Sequence, residues 1–180
     1  MIGVLVSGEG SNLQALIDDG LPIVAVASNR SDARALARAE LAGIATETFA
    51  LDDYATRESR DDAMARWLGS RGVEWVVLAG YMHLLRPAFL DRFPGRVVNV
   101  HPALLPAFPG AHAVEEALAA GVRETGASVH YVDEGVDTGA VIEQERVAVE
   151  ANDTVETLRA RIQAVEHTLL PRVMRQLCAR

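Results

Sequence analysis

Asn99 and His101 stand two residues apart in Val97-Val98-Asn99-Val100-His101-Pro102. Residues i and i+2 of a strand point to one face, so the amide and the imidazole are aimed side by side. An amide donor beside an imidazole can bind a developing oxyanion and move a proton. A buried polar pair bonded to the proline-rich loop that follows is the plainer alternative. A second imidazole, His130, precedes the loop Asp133-Glu134-Gly135-Val136-Asp137-Thr138-Gly139. Asp137 lies there among small residues that could bring its carboxylate to an imidazole, where an ion pair favours the charged ring. Without such a partner the segment is a solvated acidic turn.

Ser7-Gly8-Glu9-Gly10-Ser11-Asn12-Leu13 carries a different chemistry. Glycines let a ligand approach the backbone, and a helix start offers unpaired N–H groups and a favourable dipole to an anion. Leu13 breaks the Gly-x-Gly-x-x-Gly fingerprint, which disfavours a dinucleotide; Gly10, Ser11 and Asn12 suit a monophosphate instead. The alternative is a tight turn in which Ser11 or Asn12 caps the helix. All 17 basic residues are arginine, so lysine-dependent chemistry is excluded: Schiff-base and pyridoxal catalysis, Walker phosphate loops and protein kinases. His101, His112, His130, Asp133 and Asp137 are numerous enough for a metal, but no His-Glu-x-x-His spacing and no second cysteine accompany them, and no metal is expected. Serine hydrolysis lacks its Gly-x-Ser-x-Gly elbow.

These residues sit after short apolar runs that alternate with amphipathic ones. Strands are expected at 2–7, 23–28, 45–49, 75–79 and 97–101, with helices at 12–19, 33–42, 56–71, 87–93 and 114–120 between and after them. Two further strands, 128–132 and 141–149, are joined by a loop too short for a crossover. A long helix follows, opened by a capping box of Asp153 with Glu156 and striped with Val155, Leu158, Ile162, Val165 and Leu169; Pro171 is expected to bend or end it. Such alternation defines an α/β class: a single Rossmann-like domain over 1–180, mostly parallel, with helices on both faces and an antiparallel edge. Ligands of such sheets bind beyond the carboxyl ends of the strands, where the polar, glycine-rich segments lie.

Composition narrows the function further. With 180 residues, 49% of them hydrophobic, the chain is too apolar for disorder. A net charge of −8 argues against nucleic-acid and anionic-membrane partners. No run approaches the ~20 apolar residues of a membrane span, and no basic region precedes the N-terminal apolar run, so neither a span nor a signal peptide is expected. The lone Cys178 cannot form an internal disulfide, which fits a reducing, cytoplasmic setting.

Taken together, Ser7–Gln14, Leu78-Ala79-Gly80-Tyr81-Met82, Asn99–Pro106 and Val132–Gly139 resemble the phosphoribosylglycinamide formyltransferase family over nearly the whole chain. The resemblance implies the formyltransferase fold and transfer of a formyl group from 10-formyltetrahydrofolate, as cosubstrate, to the amine of glycinamide ribonucleotide in purine biosynthesis. It implies that Asn99 and His101 stabilise the oxyanion and assist proton transfer, and that Asp137 acts on His101. It assigns Gly10, Ser11 and Asn12 to the substrate phosphate and Glu166 to a ribose hydroxyl. Arg57, Met82, His83, Leu84 and Leu85, with Asn99, would contact the folate. From the residues alone, Glu166 is an ordinary surface glutamate and Leu84 and Leu85 are plain core. The family pattern differs at His83, Ala107 and Ala140, where arginine, a basic residue and proline are common. A formyltetrahydrofolate hydrolase and a non-catalytic nucleotide- or folate-binding module are the alternatives, and a homodimer stays open.

Overall fold

A computed structural model describes residues 1–179. The chain forms two compact units, Met1–Val98 and the residues from Asn99 onward. Its strands make a seven-stranded sheet of order β3-β2-β1-β4-β5-β6-β7, with β1, β2, β3 and β4 paired in parallel and β6 antiparallel to β7. The α/β expectation with an antiparallel edge therefore holds.

In the first unit, β1 (Ile2–Val6) lies between β2 (Ile23–Ser28) and β4 (Trp75–Leu78), and every one of its residues is buried. A strand covered on both faces needs a continuous apolar run, and Ile-Gly-Val-Leu-Val supplies it. The outer strand β3 (Ala45–Thr48) has no fully buried residue, in keeping with its alternating Ala-Thr-Glu-Thr. Helices α1 (Ser11–Asp18) and α2 (Arg34–Leu41) follow β1 and β2. Helix α3 (Arg57–Ser70) opens on a capping box in which Thr56 and Ser59 satisfy each other's backbone N–H. The short α4 (Pro87–Leu90) starts with proline, whose missing N–H costs nothing at a first turn.

The second unit holds the end of β5 (Val97–His101), α5 (Ala113–Ala119), β6 (Glu124–Tyr131), β7 (Val141–Ala148) and α6 (Val155–Cys178). Three boundaries depart from expectation. Strand β6 begins four residues early and runs through Gly126, where a Cβ would strike the Glu145 carbonyl and come within 2.6 Å of Leu104, so this glycine allows close approach rather than ending the strand. The α6 capping box is Thr154 with Thr157, not Asp153 with Glu156, because the Asp153 carboxylate is taken by the Arg161 guanidinium at 2.8 and 2.9 Å. Pro171 does not end α6; it is buried on a face with Leu170, Val173 and Met174, and the helix runs on to Cys178.

Candidate active site

The carboxyl end of β5 carries the candidate chemistry of the second unit. Asn99 Nδ2 lies 3.2 Å from Asp137 Oδ1, and His101 Nδ1 lies 3.3 Å from Asp137 Oδ2. The i, i+2 spacing thus brings the amide and the imidazole onto one carboxylate. A third group joins them: His130 Nε2 is 3.4 Å from Asp137 Oδ1 and 3.2 Å from Asn99 Nδ2. His101 and His130 are 4% and 2% exposed.

The ring hydrogens follow from the partners. Carbonyls only accept, so His101 donates through Nε2 to Phe108 O (2.7 Å) and His130 through Nδ1 to Tyr131 O (2.8 Å). His101 therefore turns Nδ1 to Asp137, and any proton there is met by Oδ2. In a neutral His130, Nε2 accepts from Asn99, whose other amide hydrogen goes to Asp137. Both amide hydrogens are engaged in this state, and donation to an oxyanion means exchanging one of them. The contact of His101 with Phe108 also realises the plainer alternative, a bond to the following loop; ring anchoring and carboxylate pairing coexist.

Asp137 is held in place by its own backbone. Its φ of +53° is left-handed, a region few residues other than glycine adopt, with aspartate among the more tolerant. Asp133 organises the turn, accepting from Gly135 N–H (3.0 Å) and the Thr138 hydroxyl (2.6 Å). Gly110 N–H donates to Asp137 Oδ2 at 2.8 Å. Burial pushes the Asp137 carboxyl up, but the bonds from His130 and Gly110 and the nearby imidazoles outweigh it and pull it down to about 2. The group is a carboxylate at any physiological pH, which excludes the solvated acidic turn.

In the first unit, Gly10 rather than Ser11 or Asn12 is the N-cap of α1, with φ +75° and no side-chain cap bond. A Cβ there would sit 2.6 Å from Ala35 Cβ, so α2 packs against the loop backbone itself. Arg38 pins the loop further by donating to Glu9 O (2.8 Å) and Gln14 Oε1 (3.2 Å). The side chain of Ser11 is thereby not consumed in capping, which favours the anion-binding alternative.

The segment Met82–Leu85 follows β4 and exposes Met82 (64%) and Leu84 (45%), while Leu85 is 4% exposed. Leu84 is therefore not core, contrary to the reading of the residues alone; two large apolar side chains stand open on a short loop, a feature that marks contact with a ligand. Met82 N–H donates to Ser7 Oγ at 2.9 Å, and Ser7 Oγ also bonds Asn29 Oδ1 at 2.6 Å. His83 Nδ1 faces Arg60 Nη1 at 3.0 Å. Burial, then Arg60 and Arg57, lower the His83 pKa, so His83 brings no cation to the segment. Arg57 is exposed at the start of α3.

Three functional features escaped the sequence. Glu166 is 5% exposed on α6, not a surface glutamate; its i±4 spacing from Ile162 and Leu170 placed it on the apolar stripe. His130 joins the Asp137 cluster. Arg60 and Asp61, both buried, form an ion pair of 2.7 Å within the polar-looking run Arg-Glu-Ser-Arg-Asp-Asp. Among the described residues, no group of three or more His, Cys, Asp or Glu side chains is arranged to hold a metal.

The fold and this cluster define an α/β protein with an amide, imidazole and carboxylate gathered at a strand's carboxyl end. Residues 1–174 match the family model described as formyl transferase, and the chain belongs to the formyltransferases. It is 43% identical to the phosphoribosylglycinamide formyltransferase of Escherichia coli (strain K12), over 96% of this chain and 84% of that protein. It is 46% identical to the trifunctional purine biosynthetic protein adenosine-3 of Chironomus tentans over 97% of this chain, but spans only 13% of that relative's length. The crystal structure of phosphoribosylglycinamide formyltransferase from Streptococcus pneumoniae TIGR4 superposes with a TM-score of 0.94 at 41% identity, covering 98% of this chain and 97% of that one.

Proposed function

We propose that this chain transfers the formyl group of 10-formyltetrahydrofolate to the amine of glycinamide ribonucleotide, a step of de novo purine biosynthesis. The observation that carries this reading is the convergence of Asn99, His101 and Asp137 in a formyltransferase sequence. The amine nitrogen attacks the formyl carbon, forming a C–N bond and moving the carbonyl π pair onto oxygen. Asn99 and His101 stabilise that oxyanion. Collapse breaks the bond to the folate nitrogen N10; the amine loses one proton and N10 gains one, with His101 assisting and the Asp137 carboxylate holding its ring in place.

Gly10, Ser11 and Asn12 take the substrate phosphate through backbone N–H groups and hydroxyl and amide side chains, and Glu166 a ribose hydroxyl. Arg57 and Met82–Leu85, with Asn99, take the folate. The alternation of Met82 and Leu84 outward with Leu85 inward supports that assignment, since it offers an apolar surface to a pteridine ring. One family model runs through 1–174, which supports a single formyltransferase domain over the chain. No helix among the described residues is long and apolar enough to cross a membrane. A cytoplasmic enzyme of small-molecule partners, without nucleic acid and with a homodimer open to it, completes the reading.

The test is formylated product from glycinamide ribonucleotide and 10-formyltetrahydrofolate, with kcat falling at least about 100-fold in His101→Ala. Folate consumed at the same rate without the amine would identify a hydrolase, and folate binding without turnover a non-catalytic module; either result overturns the proposal.

A further inference from the structure

The buried pair Arg60–Asp61 has no role in the reaction as proposed, and both side chains are wholly inaccessible. Burying two charges is costly, and an apolar pair of similar volume usually serves stability as well or better. What this pair does is visible in its remaining bonds. Asp61 Oδ1 accepts from Arg60 Nε at 2.7 Å, and Asp61 Oδ2 accepts from the backbone N–H of Arg86 at 2.8 Å. Arg60 Nη1 meets His83 Nδ1 at 3.0 Å. The two charges therefore tie down the middle and the end of a single loop, while Ser7 Oγ ties its start through Met82 N–H at 2.9 Å.

Between those ties stand the exposed Met82 and Leu84, and the anchored Leu85. Asn29, on the other side of His83, lies 3.4 Å from Nε2, so the ring is braced from both edges. A pteridine recognised by backbone groups at its edge and by apolar side chains on its face demands a loop held to within a fraction of an ångström. Helix α3, rather than the loop's own short sequence, supplies that rigidity.

We infer that Arg60 and Asp61 are positioning residues that fix the conformation of Met82–Arg86 and thereby set the affinity for the folate cosubstrate. This rests on the proposed reading that Met82–Leu85 contacts the folate. Neither residue touches a ligand; each acts through a neighbour, Arg60 through His83 and Asp61 through the Arg86 backbone.

The experiment is steady-state kinetics of the full chain with both substrates varied. Asp61→Asn keeps an acceptor for Arg86 N–H but leaves the Arg60 charge without a partner; it raises KM for 10-formyltetrahydrofolate about tenfold, with kcat and KM for glycinamide ribonucleotide within about twofold of wild type. Because that variant can lose folding stability, the double variant R60M/D61L is measured beside it. It fills the same space with apolar side chains, keeps a cooperative thermal transition, and removes both charged ties; it raises the folate KM by a similar factor. Wild-type folate KM in a folded R60M/D61L overturns the inference while leaving the formyl-transfer reading intact, as does a parallel change of kcat and both KM values. Absence of folate turnover in the wild type fells the reading and the inference together.

Discussion

Asp137 Oδ2 lies 3.3 Å from His101 Nδ1 and accepts the Gly110 N–H at 2.8 Å, so one carboxylate oxygen joins the imidazole to the loop beyond it. The loop reaches the same ring from its other edge, because Phe108, at φ +52°, turns its carbonyl to His101 Nε2. Two left-handed non-glycine residues, Phe108 and Asp137, thus address one imidazole. Backbone in such regions costs of order 1–3 kcal/mol per residue and concentrates at functional sites.

Replacing Asp137 by Asn removes the charge and keeps the size. We expect kcat to fall about 100-fold or more, with folding retained. A pH series of urea unfolding supplies a second readout. The folded-state pKa of about 2 is below the usual value near 3.9, so the ionised carboxylate stabilises the native state above pH ~4 and that contribution is lost as pH falls towards 2. The stability difference between wild type and Asp137→Asn should narrow across that window; a constant difference would contradict the assigned role of the charge.

Gly10→Ala tests the loop ahead of α1. The new methyl group meets Ala35 Cβ at 2.6 Å, and an alanine at φ +75° is strained besides. We expect a loss of about 1–3 kcal/mol and a raised KM for glycinamide ribonucleotide with little change in the folate KM. Adding Ala35→Gly removes the collision but not the backbone strain, so the double variant should recover part of the loss. Full recovery would show that φ carries no cost here, and no recovery that α2 does not brace the loop.

His83 gives a signature at milder pH. Its pKa in the folded chain lies below the ordinary 6.5, through burial and the adjacent Arg60 and Arg57. A histidine depressed in this way favours the native state while neutral, above pH ~6.5, and penalises it as pH falls below that value and the unfolded chain takes up the proton first. His83→Gln keeps an acceptor for Arg60 without titrating. Stability measured between pH 5 and 7 should therefore fall less steeply in the variant than in the wild type, and an identical slope would place the proton elsewhere.

What the sequence discloses is set by which interactions are local. Strands such as Ile23–Ser28 and Val97–His101 were read to the residue because an apolar run with a turn at its end is a local signal. The same spacing argument put Asn99 and His101 together. The bonds that decide the rest are not local: Arg161 reaches Asp153 and displaces the expected cap, and Asp137 reaches His101 and His130 only after β6 and β7 pair. Arg60 and Asp61 look like a solvated helix face by type. Their position, four and three residues before the buried Met64, continues the apolar stripe, and that was the available signal. Glu166 was hidden in the same way, a charge on a buried face whose purpose only the family likeness suggested.

Ser128 extends the site into the fully buried part of the second unit. Its hydroxyl donates to Ala103 O at 2.6 Å and accepts from Leu105 N–H at 3.1 Å and Gln144 Nε2 at 2.9 Å, while Gln144 also donates to Leu105 O at 2.8 Å. These bonds fasten the start of the loop that ends at Phe108, the acceptor of His101 Nε2. Ser128→Ala leaves a buried carbonyl and a buried N–H without this partner, a loss of about 1–3 kcal/mol for each group left unsatisfied. Gln144 can still hold Leu105 O, so the variant should fold, with a lower melting temperature. Because the loop presents the carbonyl that orients His101, kcat should drop several-fold at temperatures where the variant is fully native, with both KM values little changed. If kcat at those temperatures equals that of wild type, Ser128 serves stability alone and the orientation of His101 is secured by Phe108 and Asp137 without it.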